Sequence, residues 1–338
     1  MPDDEELVLV SYNLENLFDA EHNGSEYPEF LPAAGWDIED VRGRLQRTAE
    51  ALNSLRPGVD ILVLSEIENA ALMDTFLDEF LVDRPMPYRG FAAAPEGATG
   101  VAIASRFPIV QLRSLQPRSG DYPPLRPILE SRIVVGDREL VVFANHWKSR
   151  RGGIAATEAL RRASVAILRQ RLEELATREP DLAVVVAGDL NAEAVGSTVP
   201  VGSVPPALVD AAALMEWDRN EEAAPAWYTQ EYRLSEGYLV IRGLDPGASG
   251  APRAAANLWD PWAGVDRGGS YWYANRWERI DVILINSAIV RGVGVGLQSF
   301  GPVVNSETAD AAGVPRSWRA GGASDHLPVQ AVFALPGY

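Results

Sequence analysis

The sequence predicts an α/β chain built on a mixed sheet, or on two sheets packed together. Three observations carry this. Short runs rich in Val, Ile and Leu recur along the chain, as buried strands do. Between some of them, apolar residues recur at steps of three and four, the period of a helix. Other runs follow one another across a short turn at Gly136-Asp137, a pairing foreign to a pure parallel barrel.

The strand runs are Leu7–Tyr12, Ile61–Ser65, Val101–Ser105, Ser131–Val135, Glu139–Ala144, Leu182–Ala187, Asp281–Asn286 and Val329–Ala334. A first helix is marked by Ile38, Val41, Leu45, Thr48, Leu52 and Leu55, with Asp37 as N-cap and Pro57-Gly58 beyond its end. Leu72, Phe76 and Phe80 mark a second. Leu160, Ile167, Leu168 and Leu175 mark a third, whose Arg161, Arg162, Arg169 and Glu173 are expected towards solvent. Residues from about 195 to about 278 are rich in Ala, Pro and Gly, yet hold six of the nine tryptophans: Trp217, Trp227, Trp259, Trp262, Trp272 and Trp277. That content argues against a disordered linker. The expected organisation is one domain over residues 1–338, with this stretch as a structured excursion between two core strands. Most of its rings are expected to bury a small satellite core, and a wall of the functional site is the alternative.

Composition narrows the function. There is no cysteine, which excludes disulfides and thiolate metal sites, and only three histidines, which disfavours zinc. No apolar run is long enough to span a membrane. The segment Met1–Glu6 is acidic and lacks the pattern of a signal peptide. This leaves a cytoplasmic protein, or an exported one whose leader is absent from this sequence. A net charge of −17 argues against tight coating of nucleic acid. It leaves room for hydrolysis of one phosphodiester, which a cation and a few arginines can hold.

Polar residues gather at the ends of the apolar runs. Asn13 and Glu15 follow the first run, and Glu66 the second. Asn145, His146 and Lys148 follow Glu139–Ala144, and Asp189 and Asn191 follow Leu182–Ala187. Arg279 and Asp281 open another, and Asp325 and His326 precede the last. Strand ends let a rigid scaffold converge side chains on one point. A carboxylate emerging from a buried strand needs a partner, and a hard cation such as Mg²⁺ or Mn²⁺ is one. Each group also has a plain structural alternative. Glu66 can sit at a helix N-terminus, Asp189 and Asn191 can form an Asx turn, and Asp281 can pair with Arg279. Lys148, Arg150 and Arg151 can be a solvated charge run, the reading preferred for the two arginines. His22 reads as surface.

Taken together, Tyr12-Asn-Leu-Glu-Asn-Leu-Phe18, Leu64-Ser-Glu66, Asn145-His-Trp-Lys-Ser149, Gly188-Asp-Leu-Asn191, Arg279-Ile-Asp281 and Ser324-Asp-His326 resemble, in order, the endonuclease/exonuclease/phosphatase superfamily. The resemblance covers nearly the whole chain outside the excursion. It implies a four-layer α/β sandwich, with two mixed sheets face to face and helices outside. It also implies roles. Glu66 would be the main metal ligand, with Glu15 and Asp325 near the same Mg²⁺ or Mn²⁺. His326 would act as general base or contact the phosphate, oriented by Asp281. Asp189 and Asn191 would handle the attacking water, and His146 the phosphate or leaving oxygen. Asn13, Lys148 and Arg126 (in Leu125-Arg-Pro127) would hold the phosphate. One departure stands out. Deoxyribonuclease relatives pair a glutamate with the histidine at the position of His146, and this chain carries Thr99-Gly100 there. With Gly269-Ser-Tyr-Trp-Tyr273, the sequence looks more like a bacterial nuclease-like branch.

The expected function is metal-dependent hydrolysis of a phosphodiester, in DNA or RNA, by a monomer. The alternatives are a phosphoesterase for a small-molecule or lipid phosphate and a catalytically silent binding protein on the same fold.

Overall fold

The computed structural model describes residues 6–194, 204–235, 237–244, 257–266 and 268–335. Its strands are β1 (Glu6–Leu17), β2 (Ile61–Ile67), β3 (Tyr88–Ala92), β4 (Gly100–Ser105), β5 (Ile109–Leu115), β6 (Ile128–Val135), β7 (Arg138–His146), β8 (Ala183–Asp189), β9 (Leu208–Asp210), β10 (Leu239–Gly243), β11 (Asn257–Asp260), β12 (Tyr271–Tyr273), β13 (Arg276–Glu278), β14 (Asp281–Ile285), β15 (Gly296–Pro302) and β16 (Val329–Ala334).

Alternation along the strands decides the layering. Leu7 and Leu9 of β1 and Ile61 and Val63 of β2 face the second sheet, with Val141, Phe143, Val185 and Ile283 in the same core. Their neighbours Val8, Val10, Leu62 and Leu64 face outward, onto Val41, Leu45 and Leu52 of helix α1 (Ile38–Asn53). A sheet buried on both faces must lie between two layers. One sheet runs β15-β16-β1-β2-β4-β3, the other β5-β6-β7-β8-β14-β11-β10-β9, and β12-β13 form a separate hairpin. Both sheets are mixed: β1–β2 and β7–β8 are parallel, while β1–β16 and β8–β14 are antiparallel. This is the expected four-layer sandwich of two mixed sheets with helices outside.

Local chemistry starts helix α1 where the sequence predicts. Asp37 accepts from the N–H groups of Glu39 and Asp40, and Asp40 reaches back to the N–H of Asp37, a complete capping box. Helix α2 (Ala70–Thr75) starts under the Asn69 cap and widens into a π turn over Phe76–Phe80. Helix α3 (Ile154–Arg178) covers the second sheet through Val165, Leu168, Leu172 and Leu175.

Arg161 of α3 corrects an expectation. It is fully buried rather than solvent-facing. Its guanidinium pairs with Glu158 and donates to the Lys148 and Ile154 carbonyls and to Thr157 Oγ1. Arg162 and Arg169 are half-buried and donate to Gly237 O and Ser235 O. Long side chains on this helix reach polar backbone on either side, which apolar periodicity does not register.

Within the excursion, β9, β10 and β11 add strands to the second sheet. Trp217 and Trp227 do form a satellite core with Tyr232 and Tyr238. Trp259 and Trp262 instead join the main core, and Trp272 packs on Trp277 across the hairpin. Within the stretch, 195–203, 236, 245–256 and 267 lie outside the described residues.

Removing Arg161 would leave the buried Glu158 carboxylate without its cation. Arg161→Ala is therefore expected to cost about 3–5 kcal/mol. Asp37→Ala, the loss of a cap, should cost about 1 kcal/mol. Urea unfolding of the two variants checks the order, and equal costs would contradict the buried-pair account.

Candidate active site

Register sets up the site. His146 ends β7 directly beside Asp189 of β8, and Asp189 stands directly opposite Asp281 of β14. Three polar side chains thus occupy one row at one end of the second sheet. From the facing sheet, Asn13 of β1 pairs with Ser65 of β2, next to Glu66. Asn13 Nδ2 crosses between the sheets, 3.2 Å from Glu66 Oε1 and 3.0 Å from Asp189 Oδ2. Glu66 Oε1 also lies 3.4 Å from His146 Nε2.

The backbone departs from regular strand to make these contacts. The β1–β2 register shifts between Asn13 and Leu17, and the β2–β4 register between Ser65 and Ile67. Such irregularities re-aim side chains. Glu15, Asn16, Glu66 and Asn191 have φ of 49°, 57°, 62° and 49°. For glutamate that region costs roughly 1–3 kcal/mol. Hydrogen bonds hold it: Asn16 N–H donates to Glu66 Oε2 at 2.8 Å, and Asn191 N–H to Asp189 Oδ1 at 2.8 Å. Gly188 is required before Asp189, because a Cβ there would meet Asn145 O at 2.0 Å.

Asp281 Oδ2 and His326 Nδ1 are 2.7 Å apart, which aims His326 Nε2 the other way, 3.8 Å from Asp325 Oδ1. Ser270 Oγ donates to the same Asp281 oxygen at 2.6 Å. The Tyr271 ring stacks on the imidazole, 4.5 Å between centroids. The structural alternative for Asp281 does not describe it: the Arg279 guanidinium donates to the carbonyls of Trp262, Val265 and Gly268.

Burial, reinforced by neighbouring like charge, raises two of the acids here. Burial pushes Asp189 up to about 7, reinforced by Asp281 and Glu66. Burial pushes Asp325 up to about 6, with Glu15 and Glu66 adding to it. Burial alone would lower His326, but Asp281, Asp325 and Asp189 outweigh it and hold the ring protonated. His146 goes the other way. Burial, then Arg126, His326 and Lys148, keep it neutral. Among the described residues its Nδ1 has no hydrogen-bond partner, and neither has the buried Thr99 Oγ1.

Two triplets could each hold a metal ion, Glu66–His146–Asp189 and Asp189–Asp281–His326, with ligand atoms within 4.8 Å of one another. The donors are mostly carboxylate oxygens, and Glu66 and Asp325 remain partly open to solvent. That set fits a hard divalent cation.

The structure brings together most of the expected residues: Asn13, Glu66, His146, Asp189, Asp281, Asp325 and His326. Asn191 lies beside them, its Nδ2 on Trp147 O at 3.3 Å, and Arg126 reaches the same carbonyl at 3.4 Å. Lys148 and Arg126 are close enough to act on His146. Glu15 differs from its expected surroundings. Its carboxylate accepts from Ser317 Oγ and from the N–H groups of Trp318 and Asp325, so it anchors the loop carrying Asp325 and His326. Arg150 is not a solvated charge. It donates to Asn191 O and pairs with Glu278. Ser270 was not singled out by sequence, although it lies in the Gly269–Tyr273 motif.

Two mixed sheets with facing polar strand ends make up a four-layer α/β sandwich. The chain matches the Endonuclease/Exonuclease/phosphatase family over residues 10–326 and belongs to that family. Its fold resembles D. rerio TDP2 complexed with single strand DNA product (14% identity, TM-score 0.55, covering 97% of this chain and 98% of that one). It also resembles the human Nocturnin catalytic domain with bound sulfate anion (16%, 0.53, 97% and 94%). A third likeness is an endonuclease/exonuclease/phosphatase family protein from Bacteroides thetaiotaomicron (16%, 0.52, 98% and 98%). Compared by sequence with curated proteins, the chain has no significant match.

Raised acids bind protons more tightly when folded. The stability that Asp189 and Asp325 contribute is therefore full below the ordinary carboxylate range, and is lost as pH rises through about 6 and about 7. A bound cation would take the proton's place. Mg²⁺ or Mn²⁺ is expected to raise Tm more at about pH 8 than at about pH 6, and Asp189→Asn should shrink that difference. Thermal melts with and without metal check this. An equal rise at both pH values would contradict it.

Proposed function

We propose that the protein is a divalent-metal-dependent phosphodiesterase whose substrate is a nucleic acid strand. The observation that carries this reading is the convergence, from two facing sheets, of Glu66 and Asn13 with His146, Asp189 and the Asp281–His326 pair. Glu66, aimed into this cluster, argues against a silent binding protein. The single strand DNA product bound by D. rerio TDP2 favours a nucleic acid, and the clustering of Arg126 and Lys148 near His146 suits a phosphate.

Glu66 would hold Mg²⁺ or Mn²⁺, with Asp325 beside it and Asn13 orienting Glu66 and Asp189. When bound, the cation supplies charge stabilisation at the phosphoryl group. The remaining chemistry belongs to the chain. Asp189, with a pKa of about 7, is poised as the base that takes a proton from the attacking water, and Asn191 aligns that water. Protonated His326 donates from Nε2 to a phosphoryl oxygen, and can deliver that proton to the leaving oxygen. This makes it the phosphate-contacting histidine rather than the base. His146, buried and neutral, orients Glu66 and Asp189 and is a poor acid. Arg126 and Lys148 would neutralise the phosphate.

The net charge of −17 favours a second reading, a small-molecule or lipid phosphate in place of a long strand. Parallel turnover of single-stranded DNA, RNA and phospholipid headgroup diesters separates the two.

Hydrolysis of bis-p-nitrophenyl phosphate is the direct test. Activity is expected with Mg²⁺ or Mn²⁺ and none in EDTA. Asp189→Ala and His326→Ala should each lower kcat/KM by roughly 10²–10⁴-fold. Full rates in either variant would remove the assigned roles.

A further inference from the structure

The β12–β13 hairpin carries a feature that the hydrolytic chemistry does not use. Beyond the Tyr271 ring on His326, the Tyr273 ring continues the row, 6.0 Å from Tyr271 and nearly parallel to it at 8°. Residues two apart on a strand share a face, so the rings project side by side. Trp272 and Trp277, on the opposite face, pack against each other at 5.2 Å.

The row is held rigidly. Ala274 and Asn275, with φ of 48° and 62°, make the two-residue turn that suits a twisted hairpin. At the root, Leu327 N–H donates to Ser270 O at 2.8 Å, and Tyr271 forms a β-bridge with His326. The hairpin and the histidine therefore share one backbone frame. The far end is open: Tyr273 is 60% exposed, so burial in a core does not account for it. Directly across from it stands Arg276, also 59% exposed and paired with Glu278. A flat ring beside a cation, reached along a stack that begins on His326, is the arrangement that binds single nucleotides by stacking.

We propose that Tyr271 and Tyr273 form a subsite for the base of the nucleotide adjoining the scissile phosphodiester, with Arg276 serving that nucleotide's neighbouring phosphate. This rests on the phosphodiesterase reading above and names the part of the substrate that it recognises. Every base has a flat face, so the subsite favours bases over alkyl groups without choosing strongly among them.

Three esters with the same p-nitrophenol leaving group test it: the thymidine 5′-phosphate ester, the matching abasic deoxyribose ester and the methyl phosphate ester. The wild-type enzyme with Mn²⁺ is expected to prefer the thymidine ester to the abasic one in kcat/KM. Tyr273→Ala should cut that preference at least about five-fold, equivalent to about 1 kcal/mol of stacking. Tyr273→Trp should keep it, and a merely structural role for the ring would not move this ratio. If all three esters are hydrolysed and Tyr273→Ala leaves the ratio unchanged, the subsite is overturned and the phosphodiesterase reading survives. If the wild type hydrolyses none of them, that reading fails, and the subsite falls with it.

Discussion

Like charge gathered at the ends of apolar strands is the constraint on which the rest of this structure depends. Asp189 and Asp281 stand directly opposite each other on neighbouring strands, both almost wholly buried, with Glu66 arriving from the facing sheet. Such carboxylates repel one another and lack the solvation that would offset it. Their surroundings answer in three ways. Asp189 holds its proton up to about pH 7. His326 carries a positive charge against Asp281. Asn13 inserts an amide donor between Glu66 and Asp189. A divalent cation would answer the same charge more completely, which is why this end of the sandwich reads as a metal site.

Holding that cluster open requires support from outside it. The irregular turns at Glu15–Asn16 and Glu66 would relax if their hydrogen bonds were lost. Arg44, fully buried in α1, ties down the turn at Glu15–Asn16 by donating to the carbonyls of Leu14, Glu15 and Asn16. Glu15 in turn fastens the 317–325 loop, and Ser324 Oγ donates to Asn13 O at 2.7 Å. Trp262 Nε1 donates to Asp281 O at 2.9 Å, so the aromatic excursion also props the site from the second sheet's side.

Much of this was legible in the sequence because it is local. Continuous runs of Val, Ile and Leu announce strands buried on both faces, and Asp37 as N-cap announces the start of α1. Polar residues just past those runs marked the site, since strand ends are read directly from where hydrophobicity stops. What could not be read is non-local or lacks a pattern. Strand register, which sets His146, Asp189 and Asp281 in one row, depends on pairings across more than forty residues. β5 is an edge strand that leaves Val110 and Leu112 exposed, so its alternation carries little signal. β9, β10 and β11 are too short, among Ala, Pro and Gly, to stand out. Several partners of Glu15, Arg150 and Arg161 are backbone groups, which have no residue type to betray them.

The central claim is that Glu66 and its neighbours hold a divalent cation. Anomalous diffraction from crystals grown with Mn²⁺ measures this most directly. The account predicts a peak within bonding distance of the Glu66 carboxylate, in the space bounded by Asn13, Asp189 and Asp325. Well-ordered crystals with Mn²⁺ bound elsewhere, or with no peak at Glu66, would contradict it.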